Sequence, residues 1–247
     1  MLKQFILFFC ILSYSLFYSQ SILEKETKVK QDSIKKKVFV QHLGNGYFPT
    51  KYFNFDLRYL IKYNQYEGIR TGLGCTTNDA FSEKYRINSY TVYGFRDDHF
   101  KYSIGGSFRI SELTNTWFNF SYTDDLQETG STKFLTDKRF FQFFEPRLLN
   151  IDLFHKHITK TISIEHEIND KLSTETEFTI SKIDPTYSYG YAINGDFFNN
   201  FNLSTAKISF QWNPFDSFKM SKTNVKQNKK GFPKFTLQYT KKFSRCF

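Results

Sequence analysis

The sequence predicts an all-β chain, an antiparallel transmembrane β-barrel of about ten strands, and three observations predict it. The first is alternation. Tyr85, Ile87, Ser89, Thr91, Tyr93 and Phe95 share one parity, against Arg86, Asn88, Tyr90, Val92, Gly94 and Arg96. After the turn Asp97-Asp98, Phe100, Tyr102, Ile104, Phe108 and Ile110 oppose Lys101, Ser103, Gly105, Ser107 and Arg109. A period of two means strands, and arms of about ten residues suit a tilted crossing of a bilayer. The second is composition. Phe 31, Tyr 16 and Trp 2 make aromatics 20% of the chain, yet the mean hydropathy is −0.49. A soluble sandwich hides such rings between two sheets, whereas a barrel displays them outward around a polar interior. The third is that, beyond the first twenty residues, no apolar run is long enough for a spanning helix.

The elements follow in order. Lys3, the apolar run 5–16 and a polar end at residues 13–20 read as a secretory signal peptide over residues 1–20. Bulky Phe9 before Cys10 argues against a lipoprotein signal. Residues 21–45, with the lysine-rich stretch 25–37, read as a polar tether. Residues 46–247 form the barrel domain. An exported chain with membrane-length strands and no spanning helix points to the outer membrane of a Gram-negative cell. The net charge of +10 then implies lipid headgroups and lipopolysaccharide as partners, with the barrel-insertion machinery and other envelope proteins, and no nucleic acid.

Within the domain the first strand is 54–63, with Phe53, Phe55, Leu57, Tyr59, Ile61 and Tyr63 on one face. Strand 68–76 follows, its Gly68, Gly72 and Gly74 facing inward and marking a tight lumen or a bend. The hairpin 85–95 and 100–110 comes next, then 116–123. Residues 124–156, with Phe140, Phe141, Phe143 and Phe144, read as a long ordered loop. Strands 157–168, 172–182, 186–194, 202–212 and 235–243 complete the set, with a second long loop at 213–234. Ten is even, as bacterial single-chain barrels require, and this count puts both long loops at one rim, the external one.

Charges collect on the inward parity. Arg58, Lys62, Arg70, Arg86, Arg96, Lys101 and Arg109 lie on the first four strands; Glu165, Glu167, Glu175 and Glu177 lie on two later ones. Closely spaced charges in a narrow lumen must pair, so these two sets are expected to meet across a filled interior. His155 and His157 share a face, but nothing converges on them as a metal site requires. Ser131 and Asp137 are the groups that could meet His155 in a hydrolytic arrangement, without specific spacing. Cys75 and Cys246 are expected to be free thiols. No phosphate-binding loop, dinucleotide fingerprint or Cys-x-x-Cys pair is present. No residue is assigned a catalytic, cofactor-binding or metal-binding role, and no cofactor is expected.

Several segments resemble a known family. They are Gly46-Tyr47-Phe48-Pro49, Tyr66-Glu67-Gly68-Ile69-Arg70-Thr71-Gly72-Leu73-Gly74 with Thr77-Asn78, and Phe81-Ser82-Glu83-Lys84-Tyr85-Arg86. Tyr93-Gly94-Phe95-Arg96-Asp97-Asp98-His99-Phe100-Lys101-Tyr102 and Ser121-Tyr122-Thr123-Asp124-Asp125-Leu126 belong with them. They resemble an uncharacterised family of large Gram-negative outer-membrane proteins, with a carboxypeptidase-regulatory-like N-terminal domain and a C-terminal β-barrel of unknown function. The resemblance covers part of the barrel region, about residues 44–240. It implies a membrane barrel and no nameable activity, and the missing flanks imply an incomplete wall or a degenerate product. The functional expectation is an outer-membrane barrel without catalysis, in a structural, binding or small-conduit role. The rivals are a barrel enzyme acting on lipid or peptide, and a soluble secreted sandwich that binds glycan.

Overall fold

The computed structural model describes residues 46–131, 148, 150–169, 171–193, 195–215, 217–220, 225–229 and 232–245, with Lys36, Phe39, Val40 and His42 to Gly44 before them. The chain divides into two compact units, Met1–Asn45 and Gly46–Phe247. The expected signal peptide, most of the tether, the aromatic patch 140–144, Asp137 and Cys246 lie outside the described residues.

Alternating sequence becomes strand throughout the second unit. Its elements are β1 (Tyr47–Pro49), β2 (Phe53–Asp56), β3 (Ile61–Asn64), β4 (Gly68–Thr77), β5 (Tyr85–Gly94), β6 (His99–Ser111) and β7 (Thr116–Glu128). Then come β8 (Phe154–Asn169), β9 (Leu172–Pro185), β10 (Tyr191–Ile193), β11 (Asp196–Phe198), β12 (Phe201–Trp212), β13 (Ser217–Met220), β14 (Val225–Lys229) and β15 (Phe235–Arg245). One large antiparallel sheet runs β1-β2-β4-β5-β6-β7-β8-β9-β12-β15, with β3 continuing β2 along β4. The pairs β10–β11 and β13–β14 are small hairpins apart from it.

The predicted first strand is broken. Leu57–Tyr59 forms a 3-10 turn, with Asp56 Oδ1 accepting from the Arg58 amide at 3.1 Å. The turn swings Tyr59 to the inner face, where its ring stacks on Tyr90 at 4.1 Å. This corrects the outward placement of Tyr59, because strand parity does not carry through a 3-10 turn. A Cβ at Gly74 would meet the Tyr59 ring, so the glycine supplies the space that this ring occupies.

Strand 186–194 is not part of the wall. β9 ends at Pro185 and pairs directly with β12, Phe201 opposite Ile183. Tyr191 instead pairs with Phe198 inside the β10–β11 hairpin, their rings 5.5 Å apart, and Tyr189 packs on Phe201. The alternation of tyrosines there reflects ring packing in a hairpin. The loop expected at 124–156 is shorter, since β7 runs on to Glu128 and β8 begins at Phe154.

Removing that strand changes the topology. Counting β2 with β3 as one broken strand, the strands that span the main sheet are β2/β3, β4, β5, β6, β7, β8, β9, β12 and β15, nine among the described residues. The connection between Glu128 and Phe154 starts and ends at the rim that carries the turns 65–67 and 95–98, here termed upper. The connection 213–234 lies at the lower rim, where the Asn213 amide donates to the Lys171 carbonyl at 2.8 Å. The two long connections therefore start and end at opposite rims, contrary to the even-strand expectation.

The two faces differ sharply. Phe100 (72% exposed), Tyr102, Ile104, Phe108 and Ile110 on β6, Ile162 and Ile164 on β8, and Leu237 (68%) on β15 point outward. Lys101, Ser103, Asp125, Ser163 and Ser209 point inward and are buried. Hydroxyl pairs line this inner face, Ser103 with Thr123 at 2.8 Å, Thr159 with Ser181 at 2.8 Å, and Thr179 with Thr205. Among the described residues no ladder joins β15 to β1, β2 or β3.

Spin labels at Asn169, Asn213 and Thr129 test the corrected topology. The Asn169–Asn213 distance is expected to be short. Thr129 lies beside Leu153 and Asn213 beside Lys171, so Thr129–Asn213 should span the sheet, roughly 50 Å at about 3.3 Å per residue. A short Thr129–Asn213 distance would restore the arrangement with both long loops at one rim.

Candidate functional site

The inner face concentrates its charge near the upper rim, and local structure explains how each group arrives. Asn64 closes the turn between β3 and β4, its Oδ1 accepting from the amides of Tyr66 (3.1 Å) and Glu67 (2.8 Å). Such an Asx turn fixes the backbone and aims the next side chain. Here it drives Glu67 inward to 0% exposure, and Asn64 Nδ2 donates to Glu67 Oε2 at 2.5 Å. Arg70 and Lys101 reach the same region from the inward parity of β4 and β6. Lys101 lies opposite Val92, itself fully buried, on the neighbouring strand.

Lys101 Nζ bridges Glu67 Oε1 (2.5 Å) and Asp97 Oδ2 (2.6 Å). Arg70 approaches Glu67 at 3.3 Å and holds Asp125 with two parallel bonds of 2.8 Å. Tyr90 adds an O–H bond to Asp125 Oδ2 at 2.6 Å, and the Leu126 amide donates to Oδ1 at 2.6 Å. A Cβ at Gly94 would collide with Asp97 Oδ1 and approach Glu67 and Lys101, so only glycine fits beneath this cluster. The five charged side chains are 0–11% exposed. Isolated, each would carry a desolvation penalty of several kcal/mol; mutual pairing offsets it. A cavity of about 300 Å³ adjoins the cluster, with Arg58, Lys62, Tyr59 and Phe154 on its walls.

Asp125 reaches Arg70 because β7 leaves β6. The β6–β7 ladder begins at Tyr102 opposite Asp124, and β7 continues beyond it with β8 alone. Polar Asp124-Asp125 reads as a loop start in sequence, yet Asp125 is strand and fully engaged.

The expected meeting of early cations with later glutamates is found in part: Arg86 is close enough to Glu165 to interact with it electrostatically, while other charges pair elsewhere. Lys101 pairs with Glu67 and Asp97 rather than with the later glutamates. Glu177 and Glu175 pair with Lys207 at 3.1 and 3.9 Å, so the acids of β9 find their cation on the adjacent strand. Arg86 lies over the Trp117 ring at 3.9 Å and 3.6 Å from Asp79. Arg109 reaches Glu167 through one intermediary: Asn115 Oδ1 accepts from Arg109 at 2.7 Å, and its Nδ2 donates to Glu167 at 3.0 Å. Asn119 donates to Glu165 at 3.0 Å. Most of these contacts stay within one or two strands, and Arg70 with Asp125, from β4 to β7, is the longer reach. Lys207 was legible from the inward parity of its strand; Glu67 and Asp97 sit in turns, where parity gives no signal.

The histidines bond to threonine hydroxyls. His155 meets Thr129 at 3.3 Å, His157 meets Thr159 at 2.7 Å and His166 meets Thr116 at 2.7 Å. Ser131 bonds instead to Gln127 and to the Glu128 carbonyl. Among the described residues no group of three His, Cys, Asp or Glu side chains forms a metal site, and Cys75 is free. Comparison with known protein families, with curated proteins and with solved structures gives no match for this chain.

The Arg70–Asp125 pair predicts a strong coupling. Asp125→Leu alone leaves a buried guanidinium without its main partner and should destabilise the fold by about 3–5 kcal/mol. Arg70→Met with Asp125→Leu should cost much less than the sum of the single changes. Guanidinium unfolding followed by tryptophan fluorescence measures both. Additive losses would mean that the pair does not hold β7 to β4.

Proposed function

We propose that the chain is an exported outer-membrane β-barrel protein without catalytic activity. Its role is structural or binding, around a filled, essentially non-conducting interior. The observation that carries this reading is the inverted amphipathicity of the sheet: apolar side chains on the exposed face, charged and hydroxyl side chains on the buried one. In water this arrangement would be the wrong way round, since exposed apolar area costs about 25 cal/mol per Å². In lipid it is the stable one.

The placement of the apolar band supports the same reading. It is centred near Ile104 on β6, near Ile164 on β8 and near Phe210 on β12, and the register puts these residues progressively closer to the lower rim. A level band must run obliquely in this way across tilted strands. Lys160 interrupts the outward face between Ile158 and Ile162, on the upper side of the band on β8. Its stem is long enough to carry the ammonium toward headgroups.

The ion-pair cluster at the upper rim supports a filled interior. Arg70 and Asp125 hold β4 to β7 across the inner face, each charge met by the other. The partners of this reading are outer-membrane lipid, lipopolysaccharide and the insertion machinery. We include in it membership of the barrel-bearing outer-membrane family that the segments around Tyr66–Asp125 resemble.

Facing is the direct test. Fluorophores on cysteines at Ile162 and at Thr161, neighbours on β8, should differ in brominated lipid, with quenching at 162 and little at 161. Ile162→Arg should cost roughly 2–4 kcal/mol if that position lies near the bilayer midplane. The purified chain should show heat-modifiable mobility and no large steady conductance in planar bilayers. Quenching at 161 alone would turn the wall inside out, and strong anion-selective conductance would replace the filled lumen by a basic channel.

A further inference from the structure

We propose that the upper rim carries a binding site for phosphate-bearing ligands. A cavity of about 480 Å³ opens there, lined by Gln65, Tyr66, Arg96, Asp97, Asp152 and Lys156. Its size lies in the range of small-molecule sites and far exceeds a lone ion. The turn between β3 and β4 contributes Gln65 and Tyr66, the turn between β5 and β6 contributes Arg96 and Asp97, and β8 contributes Lys156.

The charges in this cavity differ from those just beneath it. Arg70, Lys101 and Lys207 each hold a carboxylate. Arg96 and Lys156 hold none among the described residues. Arg96 Nη1 donates to the Gln65 carbonyl at 2.8 Å, which anchors the guanidinium on the cavity wall and leaves its other N–H groups for a ligand. Lys156 Nζ lies 6.0 Å from the centroid of the Tyr66 ring, over its face. Two acids share the walls. Asp97 is already engaged by Lys101 at 2.6 Å, an ammonium it shares with Glu67. Asp152 is exposed and is the second opposing charge.

Arg96 and Lys156 present a forked donor and an ammonium, neither held by a carboxylate among the described residues. That pairing suits a phosphate, which accepts several charge-assisted bonds at once, better than it suits a neutral solute. The phosphate could arrive on a soluble ester or on a lipid headgroup. Only the second source draws on the membrane reading; the cavity and its charges stand without it.

The test uses the full chain in a non-ionic, phosphate-free detergent. Calorimetric titration with glycerol 3-phosphate probes the soluble source, and micelles doped with dioleoyl phosphatidate probe the headgroup. Saturable binding of at least one probe is expected, and which one binds identifies the source. Arg96→Gln with Lys156→Gln should weaken it at least tenfold, while Asp152→Asn should tighten it severalfold by removing the opposing charge. Lys84→Gln, at the lower rim, should change nothing. Lys156→Gln alone serves if the double variant does not fold. Failure of both probes to saturate, an unchanged affinity in the double variant, or an equal loss in Lys84→Gln would each overturn the site. Heat-modifiable mobility, read on the same samples, tests the barrel separately: a heat-modifiable chain that binds neither probe loses the site and keeps the barrel.

Discussion

Arg70 on β4 grips Asp125 on β7, and two strands lie between them. On a flat sheet that separation is about 14 Å at a strand spacing of about 4.8 Å. An arginine and an aspartate can only just bridge such a gap when both are fully extended. The two short bonds are therefore a constraint on the wall as well as an ion pair. They favour a sheet curved toward its polar face and a β7 that leans inward past the end of its ladder with β6. Curvature in turn encloses the inner face, and enclosure is what makes each unpaired charge expensive. The pair and the burial that demands it support each other.

Small residues and turns follow from that enclosure. Tyr59 can stack on Tyr90, which itself bonds Asp125, only because Gly74 has no side chain in the way. Asp97 can sit beside Lys101 only because position 94 is glycine. The Asx turn at Asn64 then delivers Glu67 as the second partner of Lys101. The result is a network in which Glu67 touches both cations, so Arg70 and Lys101 are linked through one fully buried carboxylate. Toward the other side of the sheet the chemistry is milder. Threonine and serine hydroxyls pair across β6 to β12, and Lys207 alone serves Glu175 and Glu177.

Period-two reading found eight of the wall strands because each has an exposed apolar face and a polar one, from Gly68–Thr77 through Phe235–Arg245. It misplaced what local chemistry decides. Tyr59 changes face through a 3-10 turn capped by Asp56, which no alternation encodes. Tyr187, Tyr189 and Tyr191 alternate like a wall strand, but Tyr191 and Phe198 satisfy each other in a hairpin at Gly195, whose φ is +96°. The charged residues were legible as a set and their partners were not. Parity tells which face a side chain occupies; it does not tell which neighbour a long arginine reaches, nor that a turn aspartate such as Asp97 folds back onto its own strand. The rim cavity was invisible in sequence for the same reason, since its walls come from two turns and the end of β8.

The edges of the sheet carry the last constraint. With nine crossings, β3 and β15 both run from the lower rim to the upper one, so a direct ladder between them would be parallel. β1 runs the opposite way, pairing with β2 over Tyr47 to Pro49, and is the strand at that edge to which β15 would lie antiparallel. It is also short, and it covers only the lower half of the wall. Leu237 and Tyr239, on β15, are among the more exposed apolar side chains of the chain. An open edge of that kind in water invites pairing with other chains, whereas lipid can cover its side chains but not its unpaired amides and carbonyls. A seam made by this chain alone would therefore combine a short antiparallel stretch at β1 with a parallel one at β3. Seam geometry follows from the parity of the crossings, and that parity turns on Pro185 ending β9 where it meets β12.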